Sequence, residues 1–246
     1  MDNYYDKYRM IFDYHTHTTF SHGKGSIEDN VKAAAEVGLS ALAITDHGPG
    51  HLTYGVKRSD FSVMREEIER LKPLYPQVDI YLGIEANIVS VRNYLDVTEE
   101  ETAGFDFILA GYHYGIPHGY CVSNWLDAHG LLPGCGTSLL VKNTDMTLKA
   151  LYENDIKILT HPGDKGRFDI HDIAKACADT DTLMEISTWH SHLTVEEIKI
   201  AAKTDAKFVI SSDAHSPDRV GSFHGGIERA LKAGLDIERI VNIKEV

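Results

Sequence analysis

A stretch near the amino terminus organises the rest of this chain: Phe12-Asp13-Tyr14-His15-Thr16-His17-Thr18. An apolar run at residues 10–12 leads into it and predicts a strand. Side chains two positions apart point to the same side of an extended chain, so His15 and His17 can direct both imidazoles at one point. Neutral imidazole is a common metal ligand, and one cation takes two such rings at about 2 Å. The alternative is that the two histidines only end a strand and form local hydrogen bonds, and the sequence pattern would then be the same.

The same arrangement recurs along the chain. Ser26 can cap a helix that Gly38 ends, and the apolar run Ala41-Leu42-Ala43-Ile44 then predicts a parallel strand buried on both faces. This strand ends in Thr45-Asp46-His47-Gly48. Five further apolar runs are each followed by candidate ligands: residues 78–84 by Glu85, 105–111 by His113, 156–159 by His161, 183–186 by His190, and 207–210 by Asp213 and His215.

Seven strands that alternate with helical segments predict an α/β fold with a parallel sheet. Helical spacing at residues 59–75 and a capping box from Thr194 to Glu197 provide two of the helices. Ligands gather at the carboxyl ends of parallel strands, where these histidines and acids stand. Because residues from the whole chain must converge on one site, a closed barrel is favoured over an open sheet.

Residues 114–145 interrupt this pattern. They contain glycine, proline and two cysteines without a sustained period, which predicts a long loop inserted into the domain. We interpret the loop as a partial lid or a contact surface. A zinc site built from its cysteines and histidines is conceivable, but such irregular spacing is more typical of unrelated side chains.

Composition limits the classes of partner. With 246 residues and 43% hydrophobic content, the chain can bury one sizeable core, so we expect one domain over residues 1–246. A formal charge of −13 argues against long nucleic acid, because nothing would neutralise a run of phosphates. A compact anionic substrate is compatible with this charge if metals supply local positive charge.

The sequence also indicates a compartment. Residues 1–9 are polar and charged, unlike a secretory signal, and no apolar run approaches the length of a membrane span. Cys121, Cys135 and Cys177 form no close pair, which fits a reducing cytoplasm better than a disulfide scaffold. We therefore expect a cytoplasmic protein without membrane contact. The oligomeric state, a homo-oligomer included, stays open.

Six motifs stand in order along the chain: His15-x-His17, Thr45-Asp46-His47-Gly48-Pro49, Gly83-Ile84-Glu85-Ala86-Asn87, Ala110-Gly111-Tyr112-His113, His161-Pro162-Gly163 and Ser212-Asp213-Ala214-His215. With them the chain resembles the polymerase and histidinol phosphatase (PHP) domain family. It is similar in particular to the free-standing bacterial phosphatase branch, which includes histidinol-phosphatase-like members. The resemblance runs from the first predicted strand to the last and so covers nearly the whole chain.

This resemblance implies a distorted (β/α)7 TIM-like barrel with a cluster of usually three metal ions at its carboxyl-end mouth. Carried over position by position, it assigns the ligands in three sets. His15, His17, Glu85 and Asp213 would hold one ion; Glu85 would bridge to a second, which His113 and His161 complete; His22, His47 and His215 would hold the third. Nitrogen and oxygen ligands without thiolate suit Zn²⁺, Mn²⁺ or Fe²⁺.

Such a cluster suits phosphoester hydrolysis. It lowers the pKa of bound water from about 15.7 towards 7 and clamps the attacking and leaving oxygens of a phosphoryl group. In-line attack by a metal-bound hydroxide on a phosphomonoester then needs little further help from the protein. We therefore predict no catalytic side chain beyond the water held by the cluster.

Several polar residues near the strand ends have two interpretations each. Asp13 and Asp46 precede ligands and could orient imidazoles, or could cap a strand end or turn. Lys165 and Arg167 follow a predicted ligand and could bind phosphate oxygens, with Arg167 ahead because its fork matches phosphate. Solvated loop charges are the commoner explanation for both.

The remaining histidines carry weaker signals. His190 and His192 lie beyond a strand end and could protonate a leaving alkoxide, or could be surface residues. We include His190 among the candidate substrate-binding residues. His51, His171 and His224 have no supporting motif, and we interpret them as structural or surface residues, as we do the cysteines.

The favoured function is a metal-dependent phosphatase that hydrolyses a small phosphomonoester. Histidinol phosphate, with a biosynthetic role, is the first candidate substrate, and a nucleotide or sugar phosphate is the second. Alternatives are a trimetal exonuclease or phosphodiesterase on short oligonucleotides, and a non-catalytic PHP domain that binds a partner polymerase. The binding domain predicts lost ligands, and none of the nine is missing. A metal-dependent amidohydrolase is a third alternative, but such enzymes typically rely on a bridging lysine, whereas Glu85 takes that role here.

Overall fold

A parallel sheet of seven strands lies at the centre of the computed structural model, which describes residues 7–246. The strands are β1 (Tyr8–Met10), β2 (Phe12–Asp13), β3 (Ala41–Ile44), β4 (Asp79–Asn87), β5 (Phe107–Gly111), β6 (Ile156–Leu159), β7 (Leu183–Ser187), β8 (Phe208–Ser211) and β9 (Ile243–Glu245). The helices are α1 (Ile27–Val37), α2 (Phe61–Leu71), α3 (Glu99–Thr102), α4 (Cys121–Ala128), α5 (Gly136–Glu153), α6 (Ile170–Asp179), α7 (Val195–Ala201) and α8 (His224–Ala233). Within residues 7–246, no helix is both long and apolar enough to cross a membrane. The prediction that the chain lacks a secretory signal falls mainly on residues 1–6, outside the described part.

The central sheet curls into a nearly closed barrel. Its strand order is β2-β3-β4-β5-β6-β7-β8, and all neighbouring pairs are parallel. At the carboxyl ends the last strand returns to the first, because Thr16 pairs with Ala214 and the His17 N–H donates to the Ala214 carbonyl at 2.8 Å. Strands β1 and β9 form a separate antiparallel pair. The predicted α/β barrel of seven strands is therefore confirmed.

Local capping fixes where helix α1 begins and ends. The Ser26 side chain accepts a hydrogen bond from the Asp29 N–H, and the Asp29 carboxylate accepts one from the Ser26 N–H at 2.9 Å. Gly38 ends the helix with a φ of 78°, a left-handed conformation that glycine adopts without steric cost. Ile27, Val31 and Ala34 are buried, so this face of the helix packs towards β3.

Apolar side chains fill the lower part of the barrel interior, below the carboxyl ends of the strands. Leu109, Ile158, Leu183 and Val209 form a buried cluster there, separate from the larger core under the helices. Leu109 is paired with Glu85 and therefore points to the same side of the sheet. The barrel thus changes from apolar to polar along its axis, which places the polar groups at its carboxyl-end mouth.

Two predictions about elements were wrong. The strand expected at residues 10–12 is split at Ile11, because β1 pairs with β9 whereas β2 belongs to the barrel. Residues 114–145, expected to be a loop, contain α4 and the first half of α5. The buried side of α5 includes Asn143, Thr144 and Thr147, and these polar residues weaken the apolar period that would have indicated a helix.

Candidate metal centre

The predicted histidine pair converges directly after β2. His15 and His17 are fully buried, and their Nε2 atoms lie 3.1 Å apart. Asp213, which follows β8, lies beside both, with Oδ1 at 3.6 Å from His15 Nε2 and 3.2 Å from His17 Nε2. The closure of the barrel brings the two chain ends together here, so the first predicted set forms from residues about two hundred positions apart.

Glu85 lies at the centre of the site, near the end of β4, and is fully buried. Its Oε1 is 3.0 Å from His161 Nε2 and 3.3 Å from both His113 Nε2 and His15 Nε2. Its Oε2 is 2.8 Å from His47 Nδ1. A side chain at Gly111 would collide with Thr160 and crowd the Glu85 carboxylate, so this glycine keeps the space open.

The third predicted set also lies together. The His22 ring centroid is 4.8 Å from that of His47 and 4.2 Å from that of His215. His17 lies against the same rings, at 4.3 Å from His47 and 4.4 Å from His215. Tyr54, which the sequence did not indicate, packs on His22 at 4.3 Å. All nine predicted ligands therefore meet at one mouth.

The distances between these atoms fit divalent cations. Ligand atoms on one tetrahedral ion stand about 3.3 Å apart when each bond is about 2 Å. Groups whose ligand atoms all lie within 4.8 Å of one another include His15, His17 and Asp213; His47, Glu85 and His113; His15, Glu85 and His161; His17, His47 and His215; and His161, His190 and Asp213. Buried His47 Nε2 has no hydrogen-bond partner, as is expected of an atom that would bind an ion.

The charges of the site favour cations as well. Burial alone would raise the pKa of Glu85, but His113, His15 and His47 around it hold that pKa well below the usual range. Burial also lowers the pKa of His17, to about 3, so its imidazole is neutral and can donate a lone pair. Ionised carboxylates buried among imidazoles need compensating positive charge, which metal ions would supply.

Backbone strain marks two of the candidate ligands. His161 has a φ of 27° and Asp213 a φ of 50°, and neither residue is a glycine. Such conformations cost roughly 1–3 kcal/mol each and persist where the surroundings fix them, often at functional sites. Here the carboxylate of Glu185 fixes His161 by accepting a hydrogen bond from its N–H at 2.8 Å.

Glu185 and Asp96 are supporting residues that the sequence reasoning missed. Glu185 Oε1 lies 2.7 Å from His15 Nδ1, so one buried carboxylate orients two ligands. Asp96 accepts hydrogen bonds from the Asn87 N–H and side-chain amide, and Asn87 Oδ1 lies 2.8 Å from His113 Nδ1. A lone acid within the apolar strand β7 was the available signal for Glu185.

Asp13 and Asp46 hold backbone and loops rather than imidazoles. Asp13 accepts hydrogen bonds from the Ser212 N–H at 3.2 Å and the Gly221 N–H at 2.9 Å. Asp46 accepts from Thr18 and from the Ser21 hydroxyl at 2.6 Å, which fixes the loop that carries His22. Of the two interpretations, these contacts support strand-end and turn capping.

The candidate substrate residues separate into two groups. Lys165 and His190 line the cavity of about 110 Å³ beside the cluster. His190 lies 3.2 Å from Asp164 and 3.3 Å from Asp213, and although burial opposes its charge, these two carboxylates raise its pKa to about 9. Arg167 instead lies outside this cavity, with an exposed side chain that pairs with Asp127 at 2.9 Å and lines a neighbouring hollow.

The residues without a motif also separate. His171 and His224 are exposed, as we expected. His51 is buried and stacks on Tyr54 with ring centroids 3.4 Å apart, so it supports the wall of the site rather than the surface. His192 is half-buried and lies 3.0 Å from Glu197 at the start of α7. The three cysteines are free thiols.

Comparisons with known proteins agree with this geometry. The model of the PHP domain family matches residues 13–188. A Proteus mirabilis (strain HI4320) protein named "Probable phosphatase PMI1003" is 28% identical over 242 residues, covering 94% of this chain and 89% of that protein. "Probable phosphatase YcdX" of Shigella flexneri serotype 5b (strain 8401) is 27% identical over 247 residues, covering 94% and 89%.

The fold is also similar to a solved structure. Histidinol phosphate phosphatase from Lactococcus lactis subsp. lactis Il1403, complexed with Zn, L-histidinol and phosphate, aligns with a TM-score of 0.63 at 17% identity. The alignment covers 92% of this chain and 95% of that one. The family match, the related phosphatases and the convergent ligands lead to one conclusion. The chain belongs to the PHP domain family and is a metal-dependent phosphatase.

Proposed function

We propose that the nine predicted residues hold three divalent ions, with Zn²⁺, Mn²⁺ or Fe²⁺ as the candidates. The observation that carries this proposal is the crowding around Glu85, where nitrogens of His15, His47, His113 and His161 lie within 3.3 Å of its carboxylate oxygens. A carboxylate with both oxygens so surrounded is suited to bridge two ions. Asp213 with the histidine pair, and His22 with His47 and His215, would complete the sets.

Ions bound there would neutralise phosphoryl oxygens and make water acidic enough to attack at neutral pH. The side chains of this protein have a positioning role around that chemistry. Lys165 lies on the cavity wall and can bind a phosphoryl oxygen, although it pairs with Asp164 at 2.5 Å. His190 lies on the same wall between Asp164 and Asp213 and can donate a hydrogen bond to the ester.

The proposed substrate is a small phosphomonoester. The cavity of about 110 Å³ is far below the roughly 300–1,000 Å³ typical of pockets that enclose a drug-sized ligand. Histidinol phosphate is the first candidate, supported by the resemblance to histidinol-phosphatase-like proteins and by the ligands in the Lactococcus lactis structure. A nucleotide or sugar phosphate is the second. Because all nine candidate ligands converge, a binding domain with lost ligands is not favoured.

The free thiols of Cys121, Cys135 and Cys177 support a cytoplasmic location, since a reducing compartment keeps cysteines unpaired. The net charge of −13 continues to argue against long nucleic acid as substrate. We therefore propose a cytoplasmic phosphatase that acts on a soluble metabolite.

The test is phosphate release from a panel of monoesters that includes histidinol phosphate, a nucleoside monophosphate and a sugar phosphate. A phosphodiester such as bis-p-nitrophenyl phosphate serves as the contrast. We expect metal-dependent release from at least one monoester, with kcat/KM well above that for the diester. Selective turnover of the diester by metal-loaded protein would contradict the proposal.

A further inference from the structure

The cavity at the metal centre is small, and we place the leaving group of the substrate at its rim. At about 110 Å³ it has room for the phosphoryl group and its nearest atoms. The rim residue Trp189 lines the cavity and leaves 51% of its surface exposed. Its indole stacks on the candidate ligand His215 with centroids 5.3 Å apart and an interplanar angle of 27°. The exposed part of this aromatic side chain thus lies next to the candidate ligands.

Arg219 adds a positive charge to this aromatic face. Its guanidinium carbon lies 5.6 Å from the Trp189 ring centroid, within range of a cation–π contact. Within residues 7–246 its side chain forms no ion pair with an acid, and its buried Nε makes no hydrogen bond. A half-buried guanidinium with an unsatisfied donor is unusual in a protein whose net charge is −13. Because this guanidinium has no acidic partner, it can bind an anion.

Both residues are held in place by the fold. The Thr188 hydroxyl, adjacent to Trp189, lies 3.0 Å from the Ser222 carbonyl, which joins the two loops. The turn Pro217–Arg219 packs on Gly25, where any side chain would collide with the proline ring. Such preorganisation reduces the entropy that binding would cost.

The two sides of the mouth differ in available charge. Lys165, on one side, is neutralised by Asp164 at 2.5 Å. On the other side, Lys24 begins beside His215, because its N–H donates to the His215 carbonyl at 2.9 Å, and Arg219 follows four residues after that ligand. The guanidinium of Arg219, which lies against Trp189, therefore provides positive charge without an acidic partner on this side of the mouth.

We propose that Trp189 and Arg219 form a leaving-group subsite that selects phosphomonoesters bearing a second anionic group, a carboxylate or a second phosphate. The inference rests on the proposed phosphatase function and deepens it. It changes one part of that proposal: a metabolite with a second anionic group would replace histidinol phosphate as the first candidate, because the ammonium group of histidinol would meet the positive charge of Arg219. In this subsite the exposed part of Trp189 contacts the leaving group, and Arg219 donates charge-assisted hydrogen bonds to its anion.

The kinetic test compares four small esters that differ in charge on the leaving group: phosphoglycolate, ethylene glycol bisphosphate, ethyl phosphate and phosphoethanolamine. We expect wild-type, metal-loaded protein to prefer one or both of the esters with a second anionic group, phosphoglycolate and ethylene glycol bisphosphate, over ethyl phosphate by about tenfold to a hundredfold in kcat/KM. Arg219→Gln should remove the preference, and Arg219→Lys should restore part of it. The control Arg9→Gln changes an exposed arginine on β1 and should keep the preference.

A binding test separates this inference from the phosphatase function. The chain has two tryptophans, so Trp125→Phe leaves Trp189 as the sole indole reporter. Phosphoglycolate should change its fluorescence at concentrations at least about tenfold lower than ethyl phosphate does, and Arg219→Gln should abolish that difference. If no ester is hydrolysed but this difference is seen, the phosphatase function fails and the subsite stands. Equal binding of the two esters, or a preference that survives Arg219→Gln, overturns the subsite.

Discussion

The two ends of the barrel interior carry opposite kinds of side chain. At the mouth, the buried acids Glu85 and Asp213 lie among histidines. Below them, Leu183 and Ile158 belong to a cluster of apolar side chains. Buried charges are costly unless they are compensated, whereas buried apolar surface stabilises the fold. The residues at the mouth therefore serve the chemistry, and the residues below them stabilise the fold. Substitutions at the two ends should have separable effects on reaction rate and on folding.

The largest effect on rate is expected from Glu85→Gln. The change keeps the shape of the side chain but removes the charge that the surrounding histidines share. Metal content and activity should fall together, with kcat/KM lower by about 10³-fold. Metal per chain from elemental analysis and phosphate release measure this. Glu36→Gln, on the exposed side of α1, is the control. Full activity of Glu85→Gln would contradict the assignment of the cluster.

A smaller effect is expected from Glu185→Gln. This carboxylate holds His15 and the His161 backbone, so its loss should weaken metal affinity by about 10- to 100-fold. Activity should return when excess metal is added, because the ligands themselves remain. Titration of chelated protein with Mn²⁺ or Zn²⁺, followed by activity, measures the shift. An unchanged titration curve would show that Glu185 does not orient the ligands.

Lys165→Gln and Arg167→Gln sharpen the comparison within the mouth. Lys165 lines the cavity, so its loss should raise KM by about tenfold. Arg167 pairs with Asp127 outside the cavity, and its loss should change kcat/KM by less than about twofold. Steady-state kinetics on one monoester compares the two. A larger effect from Arg167→Gln would instead favour Arg167 over Lys165 as the phosphate-binding residue, as the sequence alone suggested.

The smallest effect on rate is expected at the apolar end. Leu183→Ala should lower the free energy of unfolding by about 2–5 kcal/mol, because it leaves a cavity in a buried cluster. The folded fraction should keep kcat/KM within about twofold of wild type. Urea unfolding and kinetics at low temperature measure the two quantities. A severe loss of kcat/KM in folded protein would mean that the two ends are not separable.

The strand ends were predictable because each combines a short apolar run with a histidine or acid at the same place. That pattern indicated eight of the nine candidate ligands, whereas His22, which lies in a loop, was assigned only through the resemblance to the PHP family. It could not find Glu185 or Asp96, because their role depends on contacts with distant residues such as His15 and, through Asn87, His113. Long-range contacts leave no periodic signal in one sequence.

The helical segment at α4 and α5 was not predictable for a different reason. Helix α5 buries Asn143, whose amide donates to Asn124 Oδ1 at 2.8 Å and to the Arg167 carbonyl at 3.1 Å. A helix that packs through polar contacts has a weak apolar period. The sequence placed Arg167 ahead of Lys165 because the charge geometry of each side chain was known and its direction in the fold was not.

The central claim is that activity depends on ions held by the predicted ligands. The most direct measurement is phosphate release from a turned-over monoester while chelated protein is titrated with Mn²⁺ or Zn²⁺ and bound ions per chain are counted. We expect no activity in metal-free protein, and a rise that saturates as binding approaches three ions per chain. Full activity without bound metal, or no hydrolysis of any monoester by fully loaded protein, would contradict the account.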